Sequence, residues 1–174
     1  MKILQRFLLL TGFLIGLGIF AYPVISNWLA VQNQIQAVQS YNKYVAGMSR
    51  EEIDTEWRKA RNYNDLLKDT LATDPFSNVD AVEPFTEYAQ TLDIEGIMGH
   101  IEIPMLDVNL PIYHSVSEEV LTKGVGHIKA TALPVGGTRT HAVLAAHSGL
   151  PEAKLFNELE KLKAEDYFFL YILD

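Results

Sequence analysis

The chain has 174 residues, 48% of them hydrophobic, with 14 Lys and Arg against 22 Asp and Glu and a formal net charge of −8. That hydrophobic content excludes a disordered chain, and the acidic balance argues against nucleic acid as a partner, because such binding is driven by neutralising phosphates. With no cysteine, there is no disulfide framework, no thiolate metal site and no cysteine nucleophile within these residues.

Residues 1–6 form a short tail with two positive charges, Lys2 and Arg6. From Phe7 to Ile25 no residue is charged, and at about 1.5 Å per residue a helix of that length nearly matches a hydrocarbon core of about 30 Å. A membrane span over 7–26 is expected. The next positive charge after Arg6 is Lys43, an asymmetry that places the N-terminus in the cytoplasm and the remainder outside. A retained anchor is preferred to a cleaved signal peptide, because the run exceeds the usual core length of about 7–15 residues and no small-x-small cleavage site follows.

Residues 27–71 read as a helical arm. Trp28, Val31, Ile35, Val38 and Val45 form one apolar stripe. Ser49 and Glu52 have capping-box spacing and open a second helix striped by Ile53, Trp57, Ala60, Tyr63 and Leu67. Residues 72–85 are a breaker zone, where Pro75 forces Asp74 out of the helical region and Pro84 interrupts again.

Residues 86–174 form the next unit, in which the period changes from helical to two at Gly96. Strands are expected at Ile97–Ile103, with Met98, His100 and Glu102 on the solvent face, and at Val108–Ile112, where Pro111 suggests an edge. A helical turn follows over 118–123, then strands over His141–Ala146 and Tyr167–Leu173 with a short helix at Leu155–Leu162 between them. The chain stops at Asp174 directly after an apolar strand whose partners are missing, so a domain cut short is expected.

Of the five histidines, none has trustworthy metal spacing. His100 is placed on a solvent face, and His114 and His127 at strand or turn ends where imidazoles are commonly solvated. His147 differs: it ends a buried run and precedes the tight turn Ser148-Gly149-Leu150-Pro151, which sets an imidazole on the rim of a sheet, where acid–base chemistry is served by a rigid support. Ser148 points to the opposite face and cannot be its partner.

The segments IEIP, LPIYH, KGVGH and LPVGG, with a histidine before a GLP turn, together resemble the first half of a sortase catalytic domain, and most nearly the class C, pilin-polymerising sortases. The likeness runs from about Tyr44 to Asp174. It implies a mainly β fold, a sortase-like β-barrel with short helices, incomplete here, behind a transmembrane helix and a helical arm. His147 matches the family's catalytic histidine, and Asp74, Pro75 and Phe76 match a lid over the active site, so that 72–85 becomes a lid loop. Ala146 and Ser148 depart from the family's more usual glycine and arginine around that histidine. The family's nucleophilic cysteine and its arginine come later in the sequence than any residue present here.

The resemblance further implies a membrane-anchored cysteine transpeptidase that cleaves LPxTG-like sorting signals, holds the acyl group as a thioester, and passes it to a pilin lysine amine. The expected partners are pilin subunits and membrane lipid, with no metal or organic cofactor, and the 174 residues alone are expected to be inactive. The competing readings are a non-enzymatic, membrane-anchored surface or assembly domain with the same fold, and a wall-anchoring sortase of another class.

Overall fold

The computed structural model describes residues 2–68, 85–150 and 153–174. Helix α1, Lys2–Gly47, is a single rod that carries the apolar run and then continues along the sheet domain. It is the one helix among the described residues long and apolar enough to cross a membrane. Pro23 lies within it and leaves the carbonyl four residues back without its helical N–H partner.

The packed stripe of α1 differs from the expected one. Gln34, Val38, Tyr41 and Val45 are buried, whereas Trp28 and Ile35 are exposed. The 3–4 spacing is as expected, but the stripe runs through Gln34 and Tyr41, whose polar atoms find partners: Gln34 Nε2 donates to the Lys123 carbonyl (3.3 Å), and the Tyr41 hydroxyl accepts from the Leu173 N–H (2.7 Å) while lying 3.4 Å from the Met98 carbonyl.

Helix α2, Arg50–Lys68, begins where the capping box places it. The Ser49 N–H donates to the Glu52 carboxylate (2.7 Å) and the Glu52 N–H donates back to Ser49 Oγ (3.3 Å), satisfying two of the donors a helix start leaves open. Ala60 and Tyr63 are buried, with Ile53, Trp57 and Leu67 packed against the same core. Buried Asn64 clamps Leu133 with both ends of its amide, accepting from the backbone N–H (2.7 Å) and donating to the carbonyl (3.1 Å).

After a 3₁₀ helix at Phe85–Gln90 come strands β1 (Gly99–Ile103), β2 (Val108–His114), β3 (Val125–His127), β4 (Leu144–Ala145) and β5 (Phe169–Tyr171), with the short helix α3 (Glu118–Leu121) between β2 and β3. They form one mixed sheet in the order β4-β3-β2-β1-β5. The β1–β2, β1–β5 and β3–β4 pairs are antiparallel, and β2–β3 is parallel.

Several expected elements are corrected. β2 is the central strand, not an edge; Pro111 is accommodated because β3 pairs only from Ile112 onward. The strand expected at 141–146 shrinks to two residues, since the backbone of His141 and Val143 bonds instead to the 128–132 loop, through Ala132 N–H to His141 O (3.0 Å) and Ile128 N–H to Val143 O (2.9 Å). The helix expected at 155–162 is only a 3₁₀ turn, Leu159–Lys161, and the last strand is shorter than 167–173.

The face of β1 assigned to solvent is buried. Met98 and His100 are both below 6% exposed and Glu102 is half-buried; Tyr171 of β5 stacks on the His100 ring at 4.5 Å and Tyr41 of α1 meets it edge-on at 6.2 Å. Gly99 lets β5 come this close: a Cβ there would overlap the Tyr171 carbonyl and the Ile172 side chain.

Candidate active site

β4 is an edge strand, and His147 stands two residues past its end, on the rim of the sheet as expected. The loop that follows is fastened back on both sides of the turn. His147 O accepts from the Phe156 N–H (3.1 Å), and the Gly149 N–H, at a φ of +86°, donates to the Asn157 side chain (2.7 Å). The imidazole is therefore held from its backbone while its ring stays 30% exposed.

Its Nε2 lies 3.1 Å from a carboxylate oxygen of Glu118. Glu118 opens α3, whose cap Ser117 accepts from the Val120 N–H (3.4 Å). Gly126 of β3 brings the two together: the Ser115 carbonyl, the Val116 side chain and Leu121 crowd the space a Cβ would take there, while Gly126 itself pairs with Ala145 of β4. A bare backbone at 126 lets the segment leading into α3 cross β3 next to the end of β4. The carboxylate is 78% exposed, so the pair is worth at most about 1 kcal/mol to stability. Its chemical effect is orientation: a carboxylate at one ring nitrogen fixes which way the imidazole faces.

The other histidines divide differently from expectation. His127, expected at a solvated turn, is fully buried. Its Nε2 faces the Ala132 carbonyl (2.8 Å) and therefore carries the proton, leaving Nδ1 to accept from the Tyr88 hydroxyl (2.9 Å). Burial pushes its pKa down to about 4. His114 bonds the Thr91 carbonyl (2.8 Å) beneath the Tyr88 ring, and His100 pairs with the Asn109 side chain (2.9 Å); burial lowers both pKa values as well. These three are framework histidines held neutral. Among the described residues no cluster of three or more His, Asp, Glu or Cys could hold a metal ion.

Asp74, Pro75 and Phe76 lie outside the described residues. Glu118 is not marked by the sequence beyond its place in a helical turn: it lies 29 positions from His147, so nothing local signals the pairing.

Comparison with known proteins agrees with this architecture. The sortase domain family matches residues 101–172. The chain is 26% identical over 159 residues to the Sortase A of Bacillus anthracis, covering 91% of this chain and 65% of that protein. Among solved structures it resembles a sortase C of Streptococcus pneumoniae, studied for its catalysis and pilin substrate specificity, at 38% identity and a TM-score of 0.69 over 80% of this chain and 69% of that one. Sortase C-1 from the same organism matches at 42% identity and a TM-score of 0.69, covering 80% of this chain and 71% of that one. Sortase C1 of Streptococcus agalactiae matches at 33% identity and a TM-score of 0.73, with the same two coverages. The chain thus spans just under two thirds of its curated relative.

Proposed function

The chain belongs to the sortase family, and from that premise we propose that it is the histidine-bearing part of a membrane-anchored class C transpeptidase that joins pilin subunits. The observation that carries the reading is His147: a partly exposed imidazole on the sheet rim, clamped through its backbone and oriented by a carboxylate. In this reading a cysteine thiolate attacks the threonine carbonyl of an LPxTG-like signal, and a thiolate suits the task because it is intrinsically nucleophilic and a neighbouring imidazolium lowers its pKa. The protonated His147 then gives its proton to the departing glycine amine as the C–N bond breaks, leaving a thioester. A pilin lysine amine attacks that thioester, loses a proton to the imidazole, and the thiolate is released.

The 174 residues hold no cysteine, so they supply the acid–base partner and not the nucleophile. Asp74, Pro75 and Phe76 are assigned to a lid over the groove, and α1 is assigned to the membrane with residues 1–6 on the cytoplasmic side. The test is to read the coding frame past Asp174 and assay the encoded polypeptide with a sorting-signal peptide. A cysteine-linked acyl adduct seen by mass spectrometry and lost in His147→Ala is expected; adduct formation that survives that substitution refutes the role of His147. A frame that closes without a cysteine favours the non-enzymatic surface domain.

A further inference from the structure

Three contacts fix how far along α1 the sheet domain sits. The Tyr41 hydroxyl meets the Met98 carbonyl just before β1, Gln34 reaches Lys123, and the Asn27 side-chain oxygen accepts from the Lys154 N–H (2.9 Å). Lys154 Nζ in turn donates to the Leu106 carbonyl (3.1 Å). β1 therefore runs toward the N-terminal end of α1, from Met98 beside Tyr41 to the turn Pro104–Leu106, which Lys154 links to Asn27. The lengths agree: fourteen helical residues from Tyr41 to Asn27 rise roughly 21 Å. The five strand steps from Met98 to Ile103 cover roughly 17 Å, and the turn supplies the rest.

Asn27 is two residues past Ile25, the last residue of the apolar stretch before Ser26 and Asn27. A bilayer about 40–45 Å thick around a core of about 30 Å leaves a headgroup layer of roughly 5–7 Å on each side, which is the rise of about four helical residues. Asn27, Trp28 and the 104–106 turn all fall at that depth. Three large apolar side chains there are left uncovered by the protein: Met105 at the turn, 65% exposed, Trp28, 60% exposed and off the packed stripe of its helix, and Leu29 beside it. Tryptophan is enriched at this level of membrane proteins, where its ring is half in lipid and its N–H in water.

We propose that Met105 and Trp28 dock the sheet domain onto the headgroup layer of the bilayer that α1 crosses, so that the domain rests on the membrane surface. This rests on the membrane assignment of α1 above. Lipid is the occupant because the anchor itself carries the two residues to headgroup depth. The contact is apolar: exposed Asp107 is next to the turn, and Lys154 is already engaged by the Leu106 carbonyl and by Glu158 (3.5 Å), so attraction to anionic lipid does not drive it.

The absence of native cysteine makes the test direct. Met105→Cys, Glu51→Cys and Leu14→Cys are each labelled with an environment-sensitive fluorophore in the full chain, reconstituted in phosphatidylcholine vesicles doped with nitroxide lipids. Glu51 is the distant reference, beyond the far end of α1, and Leu14 reports the span. Several-fold stronger quenching at Met105 than at Glu51 by a headgroup nitroxide, unchanged by added salt, is the expected result. Equal, weak quenching at Met105 and Glu51, with Leu14 quenched by an acyl-chain nitroxide, leaves the anchor standing and overturns the docking. An unquenched Leu14 label overturns the membrane assignment and the docking together. Shielding of Met105 from a water-borne quencher only when another protein is added marks a protein surface and likewise overturns the proposal.

Discussion

Acid should unfold this protein through one buried histidine. Above pH 6.5 the His127 ring is neutral in both the native and the unfolded chain, and it contributes no pH dependence. Below 6.5 the unfolded chain takes up a proton that the native site refuses until about pH 4, so stability falls as pH falls across that window. The window spans about 2.5 pH units at about 1.36 kcal/mol each, so His127 alone removes about 3 kcal/mol by pH 4. The groups facing it explain the refusal. The Tyr88 hydroxyl and the Ala132 carbonyl occupy its two nitrogens, Thr131 Oγ1 lies 3.2 Å from Nε2, and no carboxylate among its hydrogen-bond partners steadies a positive charge. Nearby His114 is also pushed down by burial, and it adds a loss of the same sign. Urea unfolding of the micelle-reconstituted chain at pH 7, 6, 5 and 4.5, followed by tryptophan fluorescence, measures the slope. His127→Gln, whose amide can still donate to Ala132, should lose about one proton's worth of that slope. Equal slopes for the two proteins, or an imidazole at 127 that titrates near 6.5 by NMR, would refute the reasoning.

Tyr41→Phe deletes the hydroxyl that joins α1 to Leu173 and should lower the urea midpoint by the equivalent of about 1–3 kcal/mol, the usual cost of stranding a buried polar partner. Asn64→Ala strands both backbone groups of Leu133 and should be worse, about 2–4 kcal/mol in the same assay. Gly99→Ala forces a methyl into Tyr171 and Ile172; detachment of β5, read as fast amide exchange at 169–171, is the expected consequence. Glu118→Gln should shift stability by less than about 1 kcal/mol, because its pair with His147 is exposed; a larger loss would make that contact structural.

Much of this architecture was legible locally. Ser49 and Glu52 announce the start of α2 because a capping box is a contract between residues three apart. His147 reads as a rim residue because an apolar run and a glycine turn flank it. The failures share a cause, which is that neighbours distant in sequence decide them. His100 alternates with isoleucines and so looks solvated, but α1 and β5 cover the face it occupies. Gln34 and Tyr41 carry polar atoms that hide them from an apolar-stripe reading, although each is buried with its bonds made. Pro111 suggests an edge until the late start of β3 pairing is known. Glu118 meets His147 only because β3 has no side chain at 126 to hold α3 away.

The helix from Lys2 to Gly47 passes without a break from its apolar half into the half that carries the sheet, with Pro23 near the junction. A flexible tether would average out small changes in its length; a stiff spindle converts them into rotation. One residue added between Ile25 and Asn27 would lift the domain by only about 1.5 Å but swing it by about 100° around the shaft. The bearing of the His147 rim about the helix axis is therefore written in the residue count of the shaft, as surely as its ring is set by the strand beneath it.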